Sequence, residues 1–307
     1  MASATGTIGT RTDPAVGVGD ALHALIASHA GWTFVEEFAQ GAYTCRVYRC
    51  SGTSNSFGTN FHVFVYYNTT TPTSIRVAAS EDYVAAAGDA TTNKLVRPCS
   101  AHASSMAPNA NSSFGDETNG IELDATSISY ATLPCDTTST DYFFVVTSNG
   151  IFVGIKFGTV DYAAYAGLFD SLLAADPFPL CVTGGPSAAQ RGAFASSSVT
   201  VACSRHPGRT AVGTDNFKFS LERLHGLGGA NNAVDLFHGA AFSSPMLLRH
   251  LGSVPATYGF ARGQLKDSVT LGGAATRTGD YITKGTVQWW RMFLDATNPI
   301  YVNSGAA

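Results

Sequence analysis

The sequence predicts an α+β chain: an antiparallel sheet with helices on one face, followed by an irregular β-rich C-terminal domain. Three observations carry that prediction. Phe61–Tyr67 and the stretch Asp141–Phe157 are bulky and apolar at consecutive positions, so both faces of their sheet should be covered. Two segments with apolar residues at helical spacing bracket these strands. Beyond residue 183, short apolar pieces are broken by Gly-Gly, His-Pro-Gly and other turn formers. The expected domains are an extended N-terminal arm over 1–19, an α+β sheet domain over 20–182 and a β-rich domain over 183–307.

In chain order, the Gly, Thr and Ala rich residues 1–19 read as an arm that orders against a neighbouring subunit. Asp20 is the expected N-cap of a short helix with Leu22, Leu25 and Ile26 as its stripe, stopping near Gly31 as a C-terminal cap. Strands follow at Trp32–Phe38, Thr44–Cys50, Phe61–Asn68 and Ser74–Tyr83, separated by Gly, Asn, Ser and Pro clusters as in an antiparallel meander.

Residues 84–124 lose periodicity, and a connection of that length is expected to be functional or to reach a neighbour. Strand character returns at Ile128–Leu133. The two apolar runs within 141–157 are joined by Ser148-Asn149-Gly150, for which a type I′ turn is expected. Asp161 is the expected cap of a second helix carrying Tyr162, Tyr165, Phe169, Leu172 and Leu173, stopped by Asp176–Pro179. The C-terminal pieces are Ser198–Ala202, Phe217–Leu221, Met246–Leu251, Val269–Leu271 and Val287–Leu294. The last of these is read as the final core strand and Asn298–Ala307 as a polar tail.

A chain of 307 residues buries a sizeable core without needing metals or disulfides. Charged residues are 13% and the net charge is −4, so the surface is neutral and suited to permanent contacts. Lys and Arg are dispersed without a basic run, which argues against direct nucleic-acid binding. No stretch has the length of a membrane helix, and Met1–Pro14 lacks an apolar signal core, so synthesis in the cytoplasm is expected. The cysteines Cys45, Cys50, Cys99, Cys135, Cys181 and Cys203 form no CxxC pair, which disfavours zinc and leaves their disulfide state open.

No residue of the sequence is assigned a catalytic, cofactor-binding or metal-binding role. G-x-S-x-G, H-E-x-x-H and G-x-x-x-x-G-K-[ST] are absent from the sequence. His225-Gly-Leu-Gly-Gly229 reads as a plain turn and His206, before Pro207-Gly208, as a surface turn. His62, within an apolar strand, reads as a hydrogen-bonded core histidine. No two histidines stand at metal-ligating spacing, and convergence of His225, His238 and His250 has no support in the pattern. The acidic pairs Glu36-Glu37, Glu81-Asp82 and Asp116-Glu117 point to opposite strand faces and do not form a glycosidase dyad. Asn68 and Asn111 head glycosylation triplets but read as chance matches in a Ser and Thr rich chain.

The segments Asp20–Glu36, Tyr43–Cys50, Gly58–Val65, Val160–Asp170 and Pro177–Leu180 resemble virion structural proteins of tailed bacteriophages, over roughly residues 15–182. That resemblance implies a virion component of the neck, tail, baseplate or capsid surface. It would assemble with copies of itself and other virion proteins and carry no active site. The C-terminal half departs from the pattern. A rival from another class is a carbohydrate-binding or carbohydrate-cleaving β-rich protein, tail-spike or lectin-like, with Tyr281, Trp289 and Trp290 as its aromatic platform on a glycan.

Overall fold

The computed structural model describes residues 1–86, 94–99, 121–122, 130–157, 160–172, 176, 178–184, 199–204, 219–223, 243–244, 246–250, 261–265, 268–271, 281–284, 286–291 and 300–306. Its elements in order are β1 (Ala2–Ile8), α1 (Pro14–Ser28), β2 (Trp32–Gln40), β3 (Tyr43–Cys50), β4 (Phe61–Asn68), β5 (Ser74–Val84), β6 (Lys94–Pro98), β7 (Ile121–Glu122), β8 (Ala131–Pro134), β9 (Thr140–Val146), β10 (Gly150–Phe157), β11 (Val160–Leu168), β12 (Asp170–Ser171), β13 (Leu180–Gly184), β14 (Val199–Cys203), β15 (Phe219–Arg223), β16 (Ser243–Ser244), β17 (Met246–His250), β18 (Ala261–Gln264), β19 (Ser268–Leu271), β20 (Tyr281–Lys284), β21 (Val287–Arg291) and β22 (Ile300–Ala306).

The expected α+β class is therefore overturned. Among the described residues α1 is the only helix, and the strands form three antiparallel sheets. A seven-stranded sheet has the order β2-β3-β4-β5-β6-β7, with β8 also pairing β5. A ten-stranded sheet runs β1-β9-β10-β11-β13-β14-β15-β17-β18-β12, and a five-stranded one β16-β19-β22-β21-β20. The meander of β2 to β5 and the β9–β10 hairpin follow the expected strands closely.

The second expected helix is where the class went astray. Val160–Leu168 is strand β11, held between β10 and β13. Ala164, Ala166 and Leu168 join the main core while Ala163 and Tyr165 are buried on the opposite face. A strand covered on both sides has no polar alternation, so Tyr-Ala-Ala-Tyr-Ala satisfies helical spacing equally well. Neighbouring strands decided the outcome. At its end, a Cβ on Gly167 would lie 2.3 Å from the Asn149 carbonyl oxygen, a close approach that only glycine permits.

The first helix starts earlier than expected. Pro14 occupies its first turn and Asp13 the cap position, so Asp20 lies inside the helix rather than capping it. Asp13 makes no cap hydrogen bond because both carboxylate oxygens hold Arg11, at 2.6 and 2.9 Å. Ala15, Val18, Leu22 and Ile26 form the buried stripe. The helix ends at Ser28 with an extended His29 as C-cap, in place of Gly31. Residues 2–8 of the expected arm pair along β9 of the same chain.

Two further expectations change. Neither Asn149 nor Gly150 has a positive φ, so the hairpin turn is not type I′. Asn149 is instead built into the fold: it is buried, its Oδ1 accepts from Ser56 N–H and its carbonyl from Leu168 N–H. The expected polar tail holds β22, which pairs with β19 and β21, because Ile300, Tyr301 and Val302 complete the sheet that β21 was expected to end. The β13–β14 pairing also carries the ten-stranded sheet across the expected boundary at 182.

The main core lies between the inner faces of the two larger sheets. Val63, Val65, Ile75 and Val77 meet Phe144, Ile151, Val153 and Val182, with the α1 stripe in the same cluster. The opposite face of the seven-stranded sheet holds a second cluster, Cys45, Val47, Phe64, Tyr66, Ala78 and Leu95, buried by the chain itself. Covering of both sheet faces was expected; a neighbouring subunit is not needed for it.

Candidate functional site

Strand alternation puts every second residue of β3, β4 and β5 on the outer face of the seven-stranded sheet. Cys45, Tyr66, Arg76 and Thr132 then form one row across β3, β4, β5 and β8, each opposed to the next in register. Tyr43, Tyr66 and Tyr130 gather around the arginine. The Arg76 Cζ lies 4.6 Å from the Tyr130 ring centroid, 4.9 Å from Tyr43 and 6.0 Å from Tyr66. Tyr66 meets Tyr43 and Tyr130 edge-on, at 5.7 and 6.0 Å. Arg76 Nη1 donates to Tyr43 Oη at 2.8 Å.

This cluster is incompletely satisfied. Tyr66 Oη and Thr132 Oγ1 are buried without a hydrogen-bond partner, as are both amide atoms of Gln40, which is opposed to Tyr43 in register. Burial pushes the Tyr66 phenol well above its ordinary range, so it stays a neutral donor. Among the described residues no carboxylate pairs with Arg76. Arg46, two strands away on β3 and on the opposite face, shows the contrast: it holds Glu37 at 2.6 Å and Asp20 at 2.7 Å.

The acidic residues of the sequence do not converge. Glu36 accepts a 2.6 Å hydrogen bond from Tyr83 Oη on the outer face, while Glu37 binds Arg46 on the other, as alternation required. Glu81 is buried 4.0 Å from Arg97, and Asp82 is exposed. Asp116 and Glu117 lie outside the described residues.

His62 is a buried histidine as expected, but its Nδ1 makes no hydrogen bond; Asp82 Oδ1 is 3.9 Å away. Burial lowers its pKa to about 4, with Arg49 adding to the shift and Asp82 opposing it. His102, His206, His225 and His238 lie outside the described residues, and for His250 only the strand is described. Among the described residues no three His, Cys, Asp or Glu side chains assemble into a metal-binding group. All six cysteines are buried, and burial pushes the Cys45, Cys50 and Cys135 thiols up, away from nucleophilic chemistry. Asn68 turns its Oδ1 back onto the Thr70 and Thr71 N–H groups. Asn111 lies outside the described residues.

The expected aromatic platform is divided. Tyr281 opposes Trp290 on the edge of the five-stranded sheet, and Trp289 opposes Ile282, so the two tryptophans face opposite ways. Both are half-buried, and Tyr281 is exposed.

A different surface is open at β2. It is the terminal strand of its sheet and pairs only with β3, leaving its other edge without a strand among the described residues. A bulge interrupts the pairing between Phe34 and Glu36, and Phe34 and Val35 are 40% and 41% exposed there. Sequence reading missed both this edge and the Arg76 cluster. Alternation alone could have placed Tyr43, Tyr66 and Arg76 on one face; that β8 returns beside β5 had no signal.

No protein-family model matches the chain, and a search of curated proteins returns no match.

Proposed function

We propose that the chain is a non-enzymatic structural component of a tailed-bacteriophage particle that assembles through contacts between subunits in the neck, tail, baseplate or capsid surface. The observation that carries the assembly reading is the open β2 edge with Phe34 and Val35 exposed at its bulge. An unpaired strand edge offers a row of N–H and C=O groups to another chain. The virion setting rests on the resemblance of residues 15–182. Burying Phe34 and Val35 would contribute roughly 1–2 kcal/mol each per contact, repeated at every interface of a closed ring.

Light scattering coupled to size exclusion tests this on the full chain, alone and mixed with other particle proteins. The expected result is a discrete oligomer, or entry into one on mixing, lost in the pair Phe34→Asp and Val35→Lys while circular dichroism stays unchanged. A wild-type chain that remains monomeric in both settings, or that releases reducing sugar from a glycan, overturns the reading.

A further inference from the structure

We propose that the Arg76 cluster is a binding site for a carboxylate group. It is independent of the assembly surface at β2. Arg76 stands between Tyr66 and Thr132 in register, and opposed residues on one face of an antiparallel pair have Cβ atoms about 5 Å apart. The two buried hydroxyls without partners therefore flank the one guanidinium in the row. Leaving a buried hydroxyl unsatisfied is costly, and two beside a cation that no carboxylate among the described residues pairs mark a place built for an acceptor.

Charge and shape select the ligand. Tyr43, Tyr66 and Tyr130 rings approach Cζ, and Nη1 is engaged by Tyr43 Oη, so the remaining N–H groups at the rim of the guanidinium are the donors on offer. A carboxylate is planar, accepts only, and pairs with the arginine fork through two parallel hydrogen bonds. Its remaining lone pairs can accept hydrogen bonds from the Tyr66 and Thr132 hydroxyls. A single guanidinium balances one negative charge, which favours a carboxylate over a dianionic phosphate. Arg76, Tyr43 and Tyr130 are half-buried, so the cluster is reached from solvent while Tyr66 and Thr132 form its buried part.

The carboxylate can come from a free acid or from an acidic side chain of a second copy. The test titrates the full chain with sodium acetate and sodium glucuronate against sodium chloride at matched ionic strength. The readouts are the melting temperature, near-ultraviolet circular dichroism of the tyrosines, and the mass by light scattering. Expected is a saturable carboxylate response absent with chloride, about tenfold weaker or lost in Arg76→Gln, and several-fold weaker in Tyr66→Phe and Thr132→Val. The last two variants each remove an orphaned hydroxyl and should fold as well as wild type, so they keep the test decisive if Arg76→Gln does not fold.

An unchanged mass assigns the site to a free acid; a mass lowered by acetate assigns it to an acidic side chain of a second copy. A saturable response from a chain that is monomeric throughout keeps this site and removes the assembly reading. No response beyond chloride, or an equal response in Thr132→Val and Tyr66→Phe, overturns the proposal.

Discussion

The indole Nε1 of Trp32 donates a 2.7 Å hydrogen bond to the carbonyl oxygen of Thr147, linking the first strand of the seven-stranded sheet to the hairpin turn of the ten-stranded one. The bond is buried, and the Trp32 ring meets Phe61 edge-on at 5.5 Å. One side chain thus fastens two sheets across a sequence separation of 115 residues.

Replacing Trp32 with Phe removes that donor and leaves the Thr147 carbonyl buried with a partner fewer. The expected loss is about 2–4 kcal/mol, from the unmet acceptor together with the volume lost. Urea unfolding followed by tryptophan-independent far-ultraviolet dichroism measures it. A loss below about 1 kcal/mol would show that the sheets are held together without this bond.

His62 makes stability fall on acidification. Its pKa is about 4 in the folded chain against 6.5 for an ordinary histidine, because burial disfavours the imidazolium. Below 6.5 the unfolded chain takes up the proton and the folded chain does not. The contribution of neutral His62 is therefore fully present above about pH 6.5 and is lost progressively down to about pH 4, by roughly 3 kcal/mol at most. Burial shifts His23 and His29 in the same direction. Stability measured at several pH values between 7.5 and 4 for wild type and His62→Gln isolates the effect: the variant should lose stability less steeply. Parallel curves would exclude His62 as a source of the slope.

Cys181 and Cys203 are opposed in register across β13 and β14, the only such pair of cysteines among the described residues. Ser204 N–H bonds the Leu180 carbonyl in the adjoining pair, so the cysteines occupy the non-hydrogen-bonded type of position, with Cα atoms about 4.5 Å apart. That spacing lies within disulfide reach. Treatment with diamide, which accepts the two hydrogens, is expected to yield a Cys181–Cys203 bridge in preference to any other. Peptide mapping by mass spectrometry identifies it, and the Cys181→Ser chain serves as control. Closing a loop of this size would add about 3 kcal/mol, read as a higher melting temperature without reductant. Any other pairing in the map, or none, refutes this assignment.

Much of the first half was legible because strand signals are local. Phe61–Asn68 was placed to the residue, and the strands around it within one or two, since apolar β-branched and aromatic runs between turn formers need no knowledge of their partners. The helix start was hidden because Gly17 and Gly19 weaken the apparent propensity of its first turns, while Pro14 just after Asp13 was the overlooked signal. Residues 162–168 were misread for the reason that makes β11 stable, burial on both faces, and Leu173 of the expected helix lies outside the described residues. In the candidate site, Tyr43, Tyr66 and Arg76 stood in strands already recognised, yet their meeting depended on register.

By itself the sequence determined the strands of the β2–β5 meander and of the β9–β10 hairpin, the covering of their faces, an amphipathic helix near the start, and a surface poor in charge. Those properties follow from residue type and from spacing over a few positions; the expected α+β class and second helix did not hold. Only the tertiary structure decided that residues 2–8 join β9, that β8 returns beside β5 to set Thr132 against Arg76, that Val160–Leu168 is a strand, and that β2 is left as an edge. Each of these is a choice among strand partners distant in sequence, settled by which apolar faces can be buried together, and no local pattern encodes it.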